Sequence, residues 1–133
     1  MAEGAQMQAG RIGKVVYARM APNEDLVQGI EKLCLAQGLR HALVRCGLGS
    51  LVDACLDLPD GRRRAVAGPA VEVLSLFGEV RTQADGPVQI LRAELAGVVV
   101  DAAGQVVSGV MVAGANPVFA TFEVTLEEWL PAA

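Results

Sequence analysis

Histidine and aromatic side chains are scarce in this chain of 133 residues, in which aromatic residues make up 4% and His41 is the only histidine. A catalytic histidine works beside a nucleophile or an acid, and His41 has neither a nucleophile motif nor an acid close to it in sequence. We therefore interpret His41 as a turn residue. Because aromatic residues are few, the core is predicted to be aliphatic, built from Val, Leu and Ala with some Ile and Met.

Cysteine is also infrequent, and Cys34, Cys46 and Cys55 are odd in number and without Cys-x-x-Cys spacing. The first ten residues lack the basic segment followed by an apolar run that marks a secretory signal. This pattern predicts a cytoplasmic protein with reduced, mostly buried thiols. Cys46 follows Arg45 and could be a reactive thiol, but its apolar strand context favours a buried, inert side chain.

Positive charge is limited, since the formal net charge is −4. An acidic chain repels the phosphate backbone of DNA, so only a local basic patch could bind DNA, and only weakly. The one basic cluster, Arg62–Arg64, follows Gly61 without the proline of an AT-hook, and we interpret it as a solvated hairpin tip. No apolar run approaches the ~20 residues of a membrane helix, so no membrane partner is expected.

Apolar residues, by contrast, are plentiful. They make up 53% of the chain, slightly more than the roughly 45–50% of typical soluble domains. In a small domain this excess indicates that another subunit covers part of the apolar surface. The sequence therefore predicts an oligomer.

One helix is predicted after Pro22. Asn23 can cap it, and two acids follow in the first turn, where the helix dipole favours negative charge. Gly38 ends the helix as a left-handed cap. The residues that recur at the spacing of one helix face are Leu26, Ile30, Leu33 and Cys34.

Strands are predicted before and after this helix, in a single domain over residues 11–130 that follows a frayed segment at 1–10. The apolar runs are Lys14–Met20, Ala42–Cys46, Leu51–Leu58, Val71–Val80, Val88–Val100, Gln105–Ala113 and Val118–Leu126. The later connections are about three to six residues long, too short for a parallel crossover, so these strands are predicted to be antiparallel neighbours in a meander. The predicted fold class is α+β, a mostly antiparallel sheet with one main helix packed on it.

The segment Gly47-Leu48-Gly49-Ser50 invites comparison with a phosphate-binding loop. A dinucleotide fingerprint requires a third glycine and a following helix, and a P-loop requires a lysine. The segment has no third glycine and no lysine at these positions, and Pro59 and Gly61 soon interrupt the residues that would have to form the helix. We favour a tight turn between two strands, in which glycine supplies a positive φ.

Four motifs in order resemble the PPC domain (plants and prokaryotes conserved), a domain of unknown function. They are ARMAPNEDLVQGIEKL, HALVRCGLGSL, GPAVEVLSLFGEV and DAAGQVVSGVMVAG, and the match covers about Lys14 to Leu126. The resemblance implies a seven-stranded, largely antiparallel sheet that carries a helix and assembles as a homotrimer. In plants such domains accompany AT-hooks and associate with themselves and with other nuclear proteins. Stand-alone bacterial members are labelled DNA-binding by that association.

Many prokaryotic members of the family hold a metal with a His-x-His on one strand and a Gly-Gly-His on the next. Laid on this sequence, those three ligand positions fall on Ile90, Arg92 and Val110, with Ser108-Gly109 for the glycines. None of these side chains can hold a metal, because two are aliphatic and a guanidinium has no lone pair to offer. Because the ligands that the resemblance implies are replaced, we expect no metal and no cofactor in this chain.

Arg92 and Glu94 share a strand face with Ile90, so they could form an ion pair or meet a neighbouring subunit. A guanidinium in a cleft could also receive a carboxylate or phosphate, with Arg45 or Ser108 as companions. Two hypotheses stay open. The chain is a non-enzymatic homotrimeric interaction or regulatory module, with other proteins as further partners, or it binds a small anion between subunits, with or without catalysis.

Overall fold

The computed structural model describes residues 4–133, which form one helix and eight strands. The elements are β1 (Gly10–Met20), α1 (Leu26–Gln37), β2 (His41–Leu51), β3 (Ala54–Asp57), β4 (Arg63–Val66), β5 (Val71–Asp85), β6 (Val88–Val100), β7 (Val106–Met111) and β8 (Val118–Pro131). All strands join one sheet in the order β1-β8-β2-β5-β6-β7-β3-β4, and every pair in it is antiparallel. The α+β prediction is confirmed, with one more strand than the predicted seven because the arginine cluster extends into β4.

The start of α1 differs from the prediction. Asp25, rather than Asn23, is the N-cap, and its carboxylate accepts hydrogen bonds from the backbone N–H groups of Gln28 and Asn116, both at 2.9 Å. Asn23 instead adopts a left-handed φ of 68° in the preceding turn. No acid therefore lies in the first helical turn. Gly38 ends the helix with a φ of 69°, as predicted.

The meander prediction holds for β5, β6 and β7, which pair in sequence order. It is wrong for β8, which does not lie beside β7 but is inserted between β1 and β2. A short connection excludes a parallel crossover but does not require its two strands to pair. β8 is the second strand of the sheet, next to the edge strand β1, and its extension to Pro131 places Trp129 where its Nε1 donates to Gln8 Oε1 at 3.2 Å.

The predicted turn at Gly47-Leu48-Gly49-Ser50 is wrong, because these residues lie inside the continuous strand β2. The pairing of β2 with β8 shifts between Val44 and Cys46, which is a β-bulge. The bulge reverses the alternation of side chains, so both glycines face inward, toward Phe122. A Cβ at Gly49 would lie 2.5 Å from Thr121 O, and one at Gly47 would lie 2.8 Å from the Phe122 ring. Close packing and, at Gly49, a φ of 152° explain the glycines.

The core lies between one face of the sheet and α1. It is aliphatic, as predicted, with Phe122 as its single fully buried aromatic residue among residues 4–133. Leu26, Ile30 and Cys34 of α1 are fully buried, and Leu33 packs against the same core. Within the part of the chain described, no helix is both long and apolar enough to cross a membrane. We use the term outer face for the side of the sheet that points away from this core.

Candidate functional site

Five charged or titratable side chains from three neighbouring strands form a group on the outer face, which we call the polar cluster. Its members are His41 of β2, Glu79 and Arg81 of β5, and Arg92 and Glu94 of β6. The register places Arg81 opposite both His41 and Arg92, and Glu79 opposite Glu94. A cleft of about 250 Å³ is lined by Glu79, Arg81, Gln83, Arg92 and Glu94. Like charges therefore face each other twice across β5 and β6, an arrangement that is unfavourable unless other charges balance it.

Glu79 is the centre of the hydrogen bonds in this cluster. Its Oε2 lies 2.8 Å from His41 Nε2 and its Oε1 lies 2.8 Å from an Arg81 guanidinium nitrogen. The Arg81 guanidinium, and then the His41 ring, hold the pKa of Glu79 below its ordinary value. The interpretation of His41 as a turn residue is wrong, because His41 is the first residue of β2. The acid that it contacts, Glu79, lies 38 residues away in the sequence, so no nearby acid signalled the pair.

The predicted ligand residues are not brought together. Arg92 is exposed and forms no ion pair within residues 4–133, and the possible pair with Glu94 is not formed. Arg45 on β2 lies 3.5 Å from Glu127, an ion-pair distance. Ser108 of β7 pairs with Val98 of β6, six residues along that strand from Arg92, or roughly 20 Å. Arg92 therefore lacks both predicted companions within one chain.

The three degenerate metal positions are also separated. Ile90 pairs with Gln83 of β5, whereas Val110 pairs with Ala96 of β6, six residues further along the same strand as Ile90. This separation is roughly 20 Å. Among residues 4–133 there is no group of three or more His, Cys, Asp or Glu side chains that could hold a metal ion.

The arginine cluster lies in the β3–β4 hairpin, and acids of the same hairpin neutralise most of its charge. Arg63 Nε donates to Asp57 at 2.8 Å, and Arg62 Nε donates to Asp60 at 2.7 Å. The hydrogen bond from Arg63 lowers the pKa of Asp57 below its ordinary value. Arg64 donates to the side-chain oxygen of Gln105 at 3.3 Å. All three arginines are exposed, as predicted, but only Arg62 lies in the tip itself, because Arg63 and Arg64 are the first residues of β4.

The prediction of mostly buried thiols is right for Cys34 and wrong for Cys46. The bulge in β2 turns Cys46 to the outer face, where it is exposed, and Cys55 is partly buried. Cys34 is fully buried against the core. Burial, and secondarily the charge of Glu31, raise the pKa of the Cys34 thiol to about 11.

These environments predict unequal reactivity toward a thiol reagent. At pH 8 in native buffer, Cys46 is expected to react with 5,5′-dithiobis(2-nitrobenzoic acid) at least about a hundredfold faster than Cys34, because the reactive thiolate is rare at Cys34 and inaccessible. Stopped-flow absorbance on wild type, Cys46→Ser and Cys34→Ala measures the two rates. A fast phase that persists in Cys46→Ser but is lost in Cys34→Ala would contradict this assignment.

Sequence reasoning missed an apolar patch on the outer face, formed by Leu48, Leu74, Phe77 and Val110. The first three are 66%, 60% and 60% exposed. Phe77 of β5 lies opposite Ala96 of β6, which lies opposite Val110 of β7, so the patch crosses neighbouring strands. We call these four residues the outer patch. The excess of apolar residues in the composition was the one sequence signal for it. Alternation along the strands could not locate the patch, because the bulges in β2 and β5 change which side chains point outward.

Comparison with known proteins agrees with this architecture. The chain matches the model of the Plants and Prokaryotes Conserved (PCC) domain over residues 7–130. No match was found among curated proteins. A plant- and prokaryote-conserved protein of Pyrococcus horikoshii is 22% identical, with a TM-score of 0.77 over 94% of this chain and 85% of that one. A metal-containing protein of Archaeoglobus fulgidus is also 22% identical, with a TM-score of 0.78 over 97% of this chain and 89% of that one.

A third similar structure is that of a "putative DNA binding protein" of Bacteroides thetaiotaomicron, 13% identical with a TM-score of 0.70 over 92% of this chain and 84% of that one. At these identities the structures are evidence of a shared fold. The family model spans residues 7–130, nearly the whole chain. The chain belongs to the Plants and Prokaryotes Conserved domain family.

Proposed function

We propose that this chain is a non-enzymatic homotrimeric interaction or regulatory module, with residues 11–130 as its single domain. The observation that carries the proposal is the outer patch. Three of its side chains are at least 60% exposed and lie on one face of a rigid sheet. Contiguous exposed apolar surface of this kind marks protein–protein contact sites. A second and third copy are the occupants we propose, because the resemblance to the family implies a homotrimer.

The state of the polar cluster supports a role other than catalysis. A general acid or base works best when its pKa lies near the operating pH. In Glu79 the hydrogen bonds from Arg81 and His41 move the pKa in the opposite direction, so the carboxylate stays ionised at neutral pH. The hydrogen bond between Glu79 and His41 links β5 to β2, and the ion pair with Arg81 lies within β5, so these contacts hold the ionised carboxylate in place instead of holding a proton for transfer.

The charge distribution argues against DNA as the main partner, although two similar structures carry DNA-binding names. Asp57 and Asp60 pair with Arg63 and Arg62, so the hairpin tip retains about one net positive charge from three arginines and two acids. Non-specific DNA affinity depends on the number of phosphates that free cations can neutralise. We expect DNA binding, if present, to be weak and salt-sensitive. We place the protein in the cytoplasm, where its unpaired thiols would stay reduced.

The mass of the protein in solution tests the assembly. One chain has a mass of 13.8 kDa, so light scattering of wild type at micromolar concentration is expected to give about 41 kDa, three times that value. The mass should be independent of salt, because an apolar interface is not screened by ions. A mass of 13.8 kDa at these concentrations would contradict the proposed trimer.

A second candidate function is binding of a small anion at Arg92 in a cleft between subunits. It is favoured by one observation, that Arg92 lies opposite Arg81 and forms no ion pair with other residues in 4–133. An anion or a carboxylate from another chain would balance this pair of guanidinium groups. Of the predicted companions, Arg45 is already paired with Glu127, and Ser108 would have to come from a neighbouring copy.

A further inference from the structure

A groove of about 900 Å³ lies within one chain, between the C-terminal half of α1 and the β5–β6 hairpin. β7 pairs only with Ala96–Val100, so within residues 4–133 β6 has no strand neighbour on that side from Val88 to Leu95, and the groove lies along this edge. The backbone N–H of Ala93 donates to Glu31 Oε2 at 2.8 Å, which joins the helix to this free edge. The apolar wall of the groove is formed by Leu35, Leu39, Ile90 and Leu91. Its volume is within the range of pockets that bind small molecules.

The same groove is lined by cations that have no partner within the described residues. Of the eleven Lys and Arg residues, the four whose side chains form no hydrogen bond or ion pair within residues 4–133 are Arg11, Lys32, Arg40 and Arg92. Three of these four, all but Arg11, line the groove, and Arg92 lies where the groove and the cleft of the polar cluster meet, because it lines both. The acids that line it are Glu31 and Asp85, and Glu31 already accepts the hydrogen bond from Ala93. In a chain with a net charge of −4, this groove is locally positive.

We propose that this groove binds an amphipathic organic anion, a carboxylate or phosphate ester with an apolar body. The guanidinium groups of Arg40 and Arg92 suit a carboxylate or phosphate, and the alkyl stem of Lys32 extends the apolar wall. Leu35, which is 73% exposed, would cover the apolar body of the ligand. This site is complete in one chain and does not depend on the trimer.

Two probes and a pair of matched variants test the site. Decanoate and phenyl phosphate are titrated into 15N-labelled protein, and the amide resonances of Leu35, Leu39 and Leu91 are followed. At least one probe is expected to shift these resonances, and the neutral analogue of the same body, decan-1-ol or phenol, should bind several-fold more weakly. The double variant Arg40→Gln/Arg92→Gln is expected to weaken binding about tenfold, whereas Arg11→Gln, the unpartnered cation outside the groove, should leave it unchanged.

Leu35→Asp provides an independent variant, because a carboxylate on the apolar wall should repel the anion and weaken binding by a similar factor. The proposal is overturned if neither probe shifts the groove resonances, or if Arg11→Gln weakens binding as much as the double variant. It is also overturned if the neutral analogues bind equally well, or if the groove resonances respond to protein concentration alone, which would mean that a second copy fills the groove. Light scattering on the same samples separates these outcomes from a failure of assembly.

Discussion

Replacement of Gly49 with alanine is expected to lower the free energy of unfolding by about 3 kcal/mol or more. Two costs combine at this position. The backbone φ of 152° is one that residues with a Cβ rarely adopt, and the added Cβ would lie 2.5 Å from the backbone oxygen of Thr121. A strained backbone costs about 1–3 kcal/mol, and overpacking costs a similar amount. Because the contact is with backbone rather than with a flexible side chain, β2 and β8 must move apart to relieve it.

Two control variants separate these costs. At Gly47 the atoms nearest to a Cβ would be side-chain atoms of Leu76 and Phe122, at 2.8 Å, so Gly47→Ala measures packing without backbone strain. At Gly86 a Cβ would meet nothing within 4 Å, but φ is 61°, so Gly86→Ala measures the backbone cost alone, about 1 kcal/mol. Urea denaturation of the three variants gives the free energies. If Gly49→Ala is no more destabilising than Gly86→Ala, the close approach of β8 to Gly49 is not as tight as described.

These glycines also show what sequence reasoning could recover. The apolar residues of α1 recur at helical spacing, and the runs of Val and Leu alternate, so the helix, most strands and the α+β class follow from periodicity. A bulge adds one residue to one strand and leaves no trace in single-sequence periodicity. In β2 the residues predicted to form a turn belong to a continuous strand that contains a bulge. The bulge places Cys46 at the surface, where a core position was expected.

The polar cluster illustrates the same limit for the candidate site. Arg92 could be singled out as a candidate from the resemblance, because a cation stands where the resemblance implies a metal ligand. Its neighbours could not, since Glu79 and Arg81 reach it only through the register of β5 with β6. Asp25 and Asn23 are both good capping residues, and only the contact of Asp25 with Asn116, 91 positions away, decides between them.

Replacement of Phe77 with glutamate is expected to dissociate the proposed trimer, with the mass falling from about 41 kDa to the 13.8 kDa of one chain. Phe77 is 60% exposed within one chain and occupies the middle of the outer patch, opposite Ala96. In the assembly, the variant would bury a carboxylate without a partner in every copy, at a cost of several kcal/mol per interface. In the separated chain the same carboxylate is exposed to water, so the fold itself should be retained.

Leu35→Asp is the matched control, because it places an acid at a leucine that is 73% exposed but lies on α1, away from the outer face. By light scattering at micromolar concentration, Leu35→Asp is expected to keep the mass of the wild type, whereas Phe77→Glu is expected to have the mass of one chain. Circular dichroism should confirm that both variants are folded. A folded, trimeric Phe77→Glu would show that assembly uses another surface, since three buried carboxylates could not be tolerated at an apolar interface. The edge of β6 would then be the next surface to test, because in the part of the chain that the structure describes its backbone between Val88 and Leu95 has no strand neighbour on the side opposite β5.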